Sequence, residues 1–223
     1  MPNFSGFEIC SPTDDAQGIS AGFIQFTTCS GSAETVCQEY QRLQSNTFCD
    51  KYMDSLDKAV GLDSCNGNTG RYIPDGLSSF CVAWKDAALR DPVFRQAQLN
   101  VQFSSYFSPV TNLFSKYNLK TPLAMGALYD IAIQLGPHDA AMLAASATKA
   151  AGGSPASVRP VPEKRWLFSL LLQRSRYLEY KSGAYALTQY RVQAYLSMIN
   201  NPNFDNDQIL MTDRGTTMTV GCN

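Results

Sequence analysis

Six of the seven cysteines in this 223-residue chain fall within its first 81 residues: Cys10, Cys29, Cys37, Cys49, Cys65 and Cys81. Only Cys222 lies elsewhere. A zinc site needs closely spaced cysteine pairs with histidine partners, and the sole histidine is His138. Disulfides formed in an oxidising compartment fit these residues better. Spacing alone leaves their pairing open, and the odd count leaves either a free thiol or a partner outside the chain. Met1-Pro2-Asn3-Phe4-Ser5-Gly6 has neither the basic nor the apolar region of a secretory signal. The expectation is therefore a secreted protein whose signal, or a longer N-terminal piece, is missing from this sequence.

The bulk properties narrow the class further. Hydrophobic residues make up 44% and charged residues 17% of the chain, the balance of a folded protein with one substantial core and room for two lobes. The longest apolar run, residues 167–172, is interrupted by Ser169 and is too short to cross a bilayer. Net charge is −1 with no basic block, which argues against nucleic-acid and membrane partners. A neutral or cationic ligand is easier to reconcile with the chain, and no cofactor or metal is expected. A monomer is expected.

Periodicity and punctuation describe a mainly helical protein with a small β region near the start. Apolar stretches around residues 7–9 and 22–26, flanked by turn residues, predict short strands. Residues 34–43 predict a helix with Ser32 as N-cap and Val36, Tyr40 and Leu43 on one face. A second helix is predicted over 49–60, then a loop over 61–76. Further helices are predicted over 77–89, 92–107, 109–117, 122–135, 140–151, 163–180 and 184–200. Proline at first-turn positions opens several of them; Gly136-Pro137 ends one sharply. The tail from Asn201 reads as irregular.

Three groups of residues stand out chemically. Asp14 and Asp15 lie in a Gly- and Ser-containing loop, where an exposed Asx turn is the plain alternative to a site. Asp130 sits in the apolar run Ala127-Leu128-Tyr129-Asp130-Ile131-Ala132, where a charge is costly unless paired. Arg174 and Arg191, on the last two predicted helices, are candidates to pair with it, or else are solvated positions between core residues. His138, in a turn after a helix, reads as structural or exposed.

Several stretches, in order, resemble the chitosanases of glycoside hydrolase family 46. The run from Asp15-Ala16-Gln17-Gly18 through Ile19-Ser20-Ala21-Gly22 to Phe26-Thr27 is similar to that family's D-G-R-G-Y-T-A-G-I-I-G-F-T. Trp84-Lys85-Asp86-Ala87 with Asp91-Pro92-Val93-Phe94-Arg95-Gln96-Ala97-Gln98 resembles W-x-x-A…D-P-x-F-R-x-A-Q. Tyr129-Asp130-Ile131, leading to Gly136-Pro137, is similar to Y-D-A…H-G-P. Glu163, Leu167, Leu171 and Arg174 fit E-x₃-L-x₃-(F/L)-x₂-R, and Arg191-Val192 opens the final helix.

The resemblance implies a lysozyme-like, two-lobed helical fold with a small antiparallel sheet, forming one catalytic domain over 1–223 with a cleft between its lobes. It implies inverting endo-hydrolysis of β-1,4 linkages in chitosan, a reaction that uses one protonated and one ionised carboxyl. Asp15 takes the place of the general base, and Ser20 that of a threonine that positions the water. Asp130, Arg174 and Arg191 stand for a buried charge network, and Glu34 lies near an aspartate that binds sugar amines. Gln17 and Leu135 depart from an arginine and a histidine of the family. The family's acid is a glutamate whose place is expected upstream of Met1. Glu8, among Phe4, Phe7 and Ile9, is the alternative acid within the chain. Two other functions stay open: a muramidase- or chitinase-like hydrolase, and a secreted glycan-binding protein without activity.

Overall fold

A computed structural model describes residues 6–14, 17–60, 73–181, 183–200, 208–213 and 216–221, with only the backbone described for 184 and 208–221. The chain divides into two compact units, Met1–Ser104 and Ser105–Asn223. Among the described residues, no helix is long and apolar enough to cross a membrane.

The first unit begins with a three-stranded antiparallel sheet: β1 (Cys10–Pro12), β2 (Ile19–Ala21) and β3 (Phe26–Thr27), with β2 in the middle. Ser20 stands opposite Ser11 on one side and Thr27 on the other. The strands lie elsewhere than the apolar stretches suggest, for two reasons. Gly22 and Gln25 adopt φ 77° and 62°, and Gln25 N–H donates to the Gly22 carbonyl at 3.1 Å, so 22–25 turns instead of extending. Phe7 gives its carbonyl to side chains, accepting from Trp84 Nε1 at 2.9 Å and Gln98 Nε2 at 3.2 Å. It is thereby spent outside the ladder.

Helix α1 (Ser32–Leu43) starts from Gly31 in the left-handed region, φ 77°, a conformation that suits glycine. Ser32 is not its cap, contrary to expectation; the Ser32 hydroxyl accepts from Thr27 N–H at 2.8 Å and ties α1 to β3. The helix predicted over 49–60 is instead a 3-10 turn, Phe48–Lys51, followed by α2 (Met53–Ala59). Helices α3 (Phe80–Arg90) and α4 (Pro92–Val101) complete the unit. Asp91 caps α4, accepting from Val93 N–H at 2.8 Å, with Pro92 in the first turn.

Aromatic rings fill this core. Phe94 meets Trp84 edge-on at 4.8 Å, with Phe48 5.2 Å and Tyr40 4.9 Å away, separations typical of favourable ring pairs. Cys10–Cys81 staples β1 to α3, and Cys37–Cys49 staples α1 to the 3-10 turn. Cys29 is also disulfide-bonded, so the disulfide reading holds for all five described cysteines. Leu43, expected on one face with Val36 and Tyr40, is exposed. Beyond α4 comes a π-helical segment, Gln102–Phe107, where an α-helix was expected to continue. Pro109 follows in the first turn of α5 (Ser108–Lys116); it has no N–H and its ring crowds the carbonyl four residues back, which disfavours regular α-helix there.

The second unit is a helical assembly of α5, α6 (Pro122–Leu135), α7 (Pro137–Ala151), α8 (Glu163–Lys181), the short α9 (Gly183–Ala186) and α10 (Gln189–Ile199). The bounds of α6 match the sequence expectation. The Thr121 hydroxyl caps it by accepting from Ala124 N–H at 3.2 Å, and Gly136 ends it at φ 89°. Helix α7 starts three residues earlier than expected because Pro137 is tolerated in a first turn. Its buried Ala140, Ala144, Ala147 and Ala151 are small enough to admit Trp166, Leu167 and Leu170 of α8 into the same core. The helix expected over 184–200 divides into α9 and α10. Strands β4 (Gln208–Asp213) and β5 (Thr216–Gly221) pair antiparallel where an irregular tail was expected. Six residues of each strand pair, and their β-branched Ile, Thr and Val residues suit strands.

Candidate active site

In the second unit, three residues from three helices meet. Asp130 lies in α6, one turn before its C-terminus, Arg174 in the middle of α8 and Arg191 in the first turn of α10. Asp130 Oδ2 is 2.6 Å from Arg174 Nη2, and Asp130 Oδ1 accepts a short hydrogen bond from Arg191 Nη2. Arg174 has no solvent exposure, whereas the Arg191 side chain is about one-third exposed. One carboxylate thus serves two guanidinium groups, and the trio carries a net positive charge in a setting where charge is poorly screened. Nε and Nη1 of Arg174 are buried without a hydrogen-bond partner among the described residues.

The two arginines feel this setting differently. Burial pulls Arg174 below its ordinary value, against the attraction of Asp130. For Arg191 burial pulls the same way, but Asp130 outweighs it and the value rises. Burial, together with the negative charge of Asp130, pushes the Tyr195 phenol of α10 up.

Two further residues join the network that the sequence reading missed. Gln134 Oε1 accepts from Arg174 Nη2 at 2.5 Å, and Gln134 Nε2 donates to Thr188 Oγ1 at 2.7 Å. Gln134 is four residues after Asp130, and that spacing places two side chains on one helix face; it was the available signal. Thr188 precedes α10 and depends on the tertiary fold to be noticed at all.

In the first unit, Ser20 is 5% exposed and its hydroxyl makes no hydrogen bond among the described residues. Asp15 lies outside the described residues. On either side of it in sequence, Thr13 and Gly18 are joined: the Thr13 N–H and hydroxyl both donate to the Gly18 carbonyl, at 2.8 and 3.2 Å. Gly18 has φ 74°, and a Cβ there would stand 2.3 Å from Thr28 Oγ1, so only glycine fits. That hydroxyl accepts from Ile19 N–H at 3.0 Å and fixes the return of the chain into β2.

Glu34, in the first turn of α1, is half-buried and accepts from Gln38 Nε2 at 2.8 Å. Burial, with repulsion from Asp57, raises its carboxyl above the ordinary range despite that bond. Glu8 is half-buried, two residues before β1. Asp14 and His138 are exposed. A separate cavity of about 760 Å³ in the first unit is lined by Gln38, Glu39, Arg42, Asn100 and Phe103, and includes none of the expected site residues. Among the described residues, no group of three or more His, Cys, Asp or Glu side chains could hold a metal ion. The structure thus brings Asp130, Arg174 and Arg191 together, and places Ser20, Glu34 and Glu8 in the other unit.

Comparison with known proteins gives consistent matches. Residues 4–208 match the model of Glycosyl hydrolase family 46. A chitosanase of Bacillus subtilis (strain 168) is 33% identical over 162 residues, covering 71% of this chain and 55% of that protein. A chitosanase of Nocardioides sp. (strain N106) is 30% identical over 135 residues, covering 60% and 45%. The chain spans about half the length of the curated relatives it matches. A family 46 chitosanase of Gynuella sunshinyii, solved with chitotetraose, superposes with a TM-score of 0.84 at 26% identity, covering 98% of this chain and 90% of that one. The native chitosanase of Bacillus subtilis MY002 gives 0.82 at 26%, covering 97% and 90%.

Proposed function

We propose, from the premise that this chain belongs to glycosyl hydrolase family 46, that it hydrolyses chitosan internally, cleaving β-1,4 linkages with inversion. The mainly helical, lysozyme-like fold with its small antiparallel sheet is the family's. The observation that carries the proposal is the sharing of Asp130 by Arg174 and Arg191. A carboxylate shared by two cations leaves a net positive charge on the trio, fixed in place by the packing of three helices.

In this reading Asp15 is the general base that takes a proton from the attacking water. Ser20 holds that water: its buried hydroxyl has no described protein partner, so a water is a natural acceptor or donor. Glu34 binds the ammonium of a glucosamine unit, helped by α1 first-turn exposure to solvent on one side. The departing oxygen takes its proton from the family's glutamate acid, with Glu8 as the alternative within these residues. The reaction uses no cofactor, and the protein acts as a monomer with one catalytic domain over 1–223. The substrate is a polycation at mildly acidic pH, in keeping with a chain that carries no basic block. Cys10–Cys81 and Cys37–Cys49 favour an oxidising, extracellular setting.

The test is incubation of the purified protein with fully deacetylated chitosan, with chitin and peptidoglycan in parallel. A rapid fall in viscosity with few new reducing ends, on chitosan alone, is expected for internal cleavage. Cleavage confined to chitin or peptidoglycan, or none on any polymer, overturns the reading.

A further inference from the structure

We infer that Gln134 is a positioning residue for the Asp130–Arg174–Arg191 network, holding the Arg174 guanidinium and the start of the Arg191 helix in one register. The inference rests on the proposed chitosan hydrolysis for its kinetic readout. Its physical basis is local to the second unit.

A primary amide has one acceptor oxygen and one donor nitrogen, and Gln134 uses both. Its oxygen takes a hydrogen bond from Arg174 Nη2, the same nitrogen that lies 2.6 Å from Asp130. Its nitrogen donates to Thr188 Oγ1, which in turn donates to the Tyr185 carbonyl at 2.6 Å. The Thr188 carbonyl then accepts from Arg191 N–H at 3.0 Å. Hydrogen bonds thus tie Arg174 through Gln134 to the Thr188 side chain, and the Thr188 backbone carbonyl in turn holds the Arg191 N–H. Close by, Ser175 and Gln189 exchange bonds of 2.9 and 2.8 Å between α8 and α10, which secures the same pair of helices one residue along.

The choice of a neutral amide matters as much as its reach. The ionisable groups facing Gln134 and its network are Asp130 on α6, Arg174 on α8, and Arg191 and Tyr195 on α10, with Tyr190 acting on Arg191. Their sum is positive while Tyr195 is protonated. A glutamate at 134 would cancel that charge from within. The amide supplies a second acceptor to Arg174 without adding a charge.

Three variants test this: Gln134→Leu, Thr188→Val and Gln134→Glu. Each is assayed for kcat and KM on chitosan across pH and for thermal unfolding. Gln134→Leu and Thr188→Val should each lower kcat by about tenfold with KM little changed, and their losses should not add in the double variant. Gln134→Glu keeps an acceptor for Arg174 but loses the donor to Thr188, so its loss of kcat should match that of Thr188→Val. Unchanged kcat in both neutral variants, or fully additive losses, overturns the inference. If Gln134→Leu does not fold, Thr188→Val breaks the same bond from its other end. If the wild-type protein leaves chitosan intact, the hydrolysis reading fails by itself. Gln134 is then judged by the thermal double-variant cycle of Gln134→Ala with Thr188→Val, where absence of coupling overturns it.

Discussion

Asp130 Oδ2 lies 2.6 Å from Nη2 of Arg174, a side chain with no solvent exposure. That carboxylate is shared with Arg191. Removing the carboxylate leaves two cations facing each other with no counter-charge. Asp130→Ala should therefore cost about 3–5 kcal/mol of stability, measured by denaturant unfolding at neutral pH. A loss below about 1 kcal/mol would show that the pair is not held as described.

Thr13 and Gly18, joined through the Gly18 carbonyl, flank the proposed base in sequence. Asp15→Asn should lower kcat on chitosan by at least about a hundredfold, as expected for loss of a general base. The unfolding midpoint should stay close to that of the wild type. Retention of more than a few per cent of activity removes Asp15 from the role.

Ser20 separates stability from activity differently. Its hydroxyl is buried and has no described protein partner, so Ser20→Ala should leave stability unchanged or slightly improved. Turnover should fall by about ten- to a hundredfold because the attacking water loses its anchor. Full turnover in this variant argues that the water is held elsewhere.

Glu34 has a carboxyl raised above its ordinary range, first by burial and then by Asp57. A raised carboxyl pKa means that the ionised form is less comfortable in the folded state than in the unfolded chain. The penalty is absent well below the unfolded pKa and is fully present at neutral pH. Glu34→Gln should therefore raise Tm at pH 7 and not at pH 3, while KM for chitosan increases. A lower Tm at pH 7 contradicts the first half; an unchanged KM contradicts the second.

Asp91 has the opposite sign. Burial raises its carboxyl, but hydrogen bonds from Tyr40, Val93 N–H and Gln44 outweigh that and leave it lowered. Its contribution is present above the unfolded value of about 4 and is lost as pH falls through the lower folded value. Asp91→Asn should destabilise the protein at pH 7 and flatten the loss of stability on acidification below about pH 4. An unaltered acid limb would show that other carboxylates govern it.

The sequence by itself determined what depends on neighbouring residues. Thr121, Pro122 and Gly136 mark the ends of α6 because a cap, a first-turn proline and a left-handed-tolerant glycine act within one turn of the chain. Spaced motifs around Trp84, Asp91, Asp130 and Arg174 were enough to bring the family into view. They also nominated the three charged residues that the fold brings together. Local rules were weaker where one residue had two possible partners. Ser32 bonds to Thr27 and not to its own helix, and Gly22 turns the chain where an apolar run suggested a strand.

Tertiary structure alone decided how the charge is shared. Asp130 and Gln134 are 40 or more residues from Arg174 and Thr188, and no local pattern fixes which guanidinium nitrogen meets which oxygen. The same holds for the Cys10–Cys81 pairing within the first unit, 71 residues apart. The contacts of Asp130 and Gln134 become favourable only after α6, α8 and α10 pack, because packing removes water as a competing partner and raises the cost of leaving a polar group unpaired.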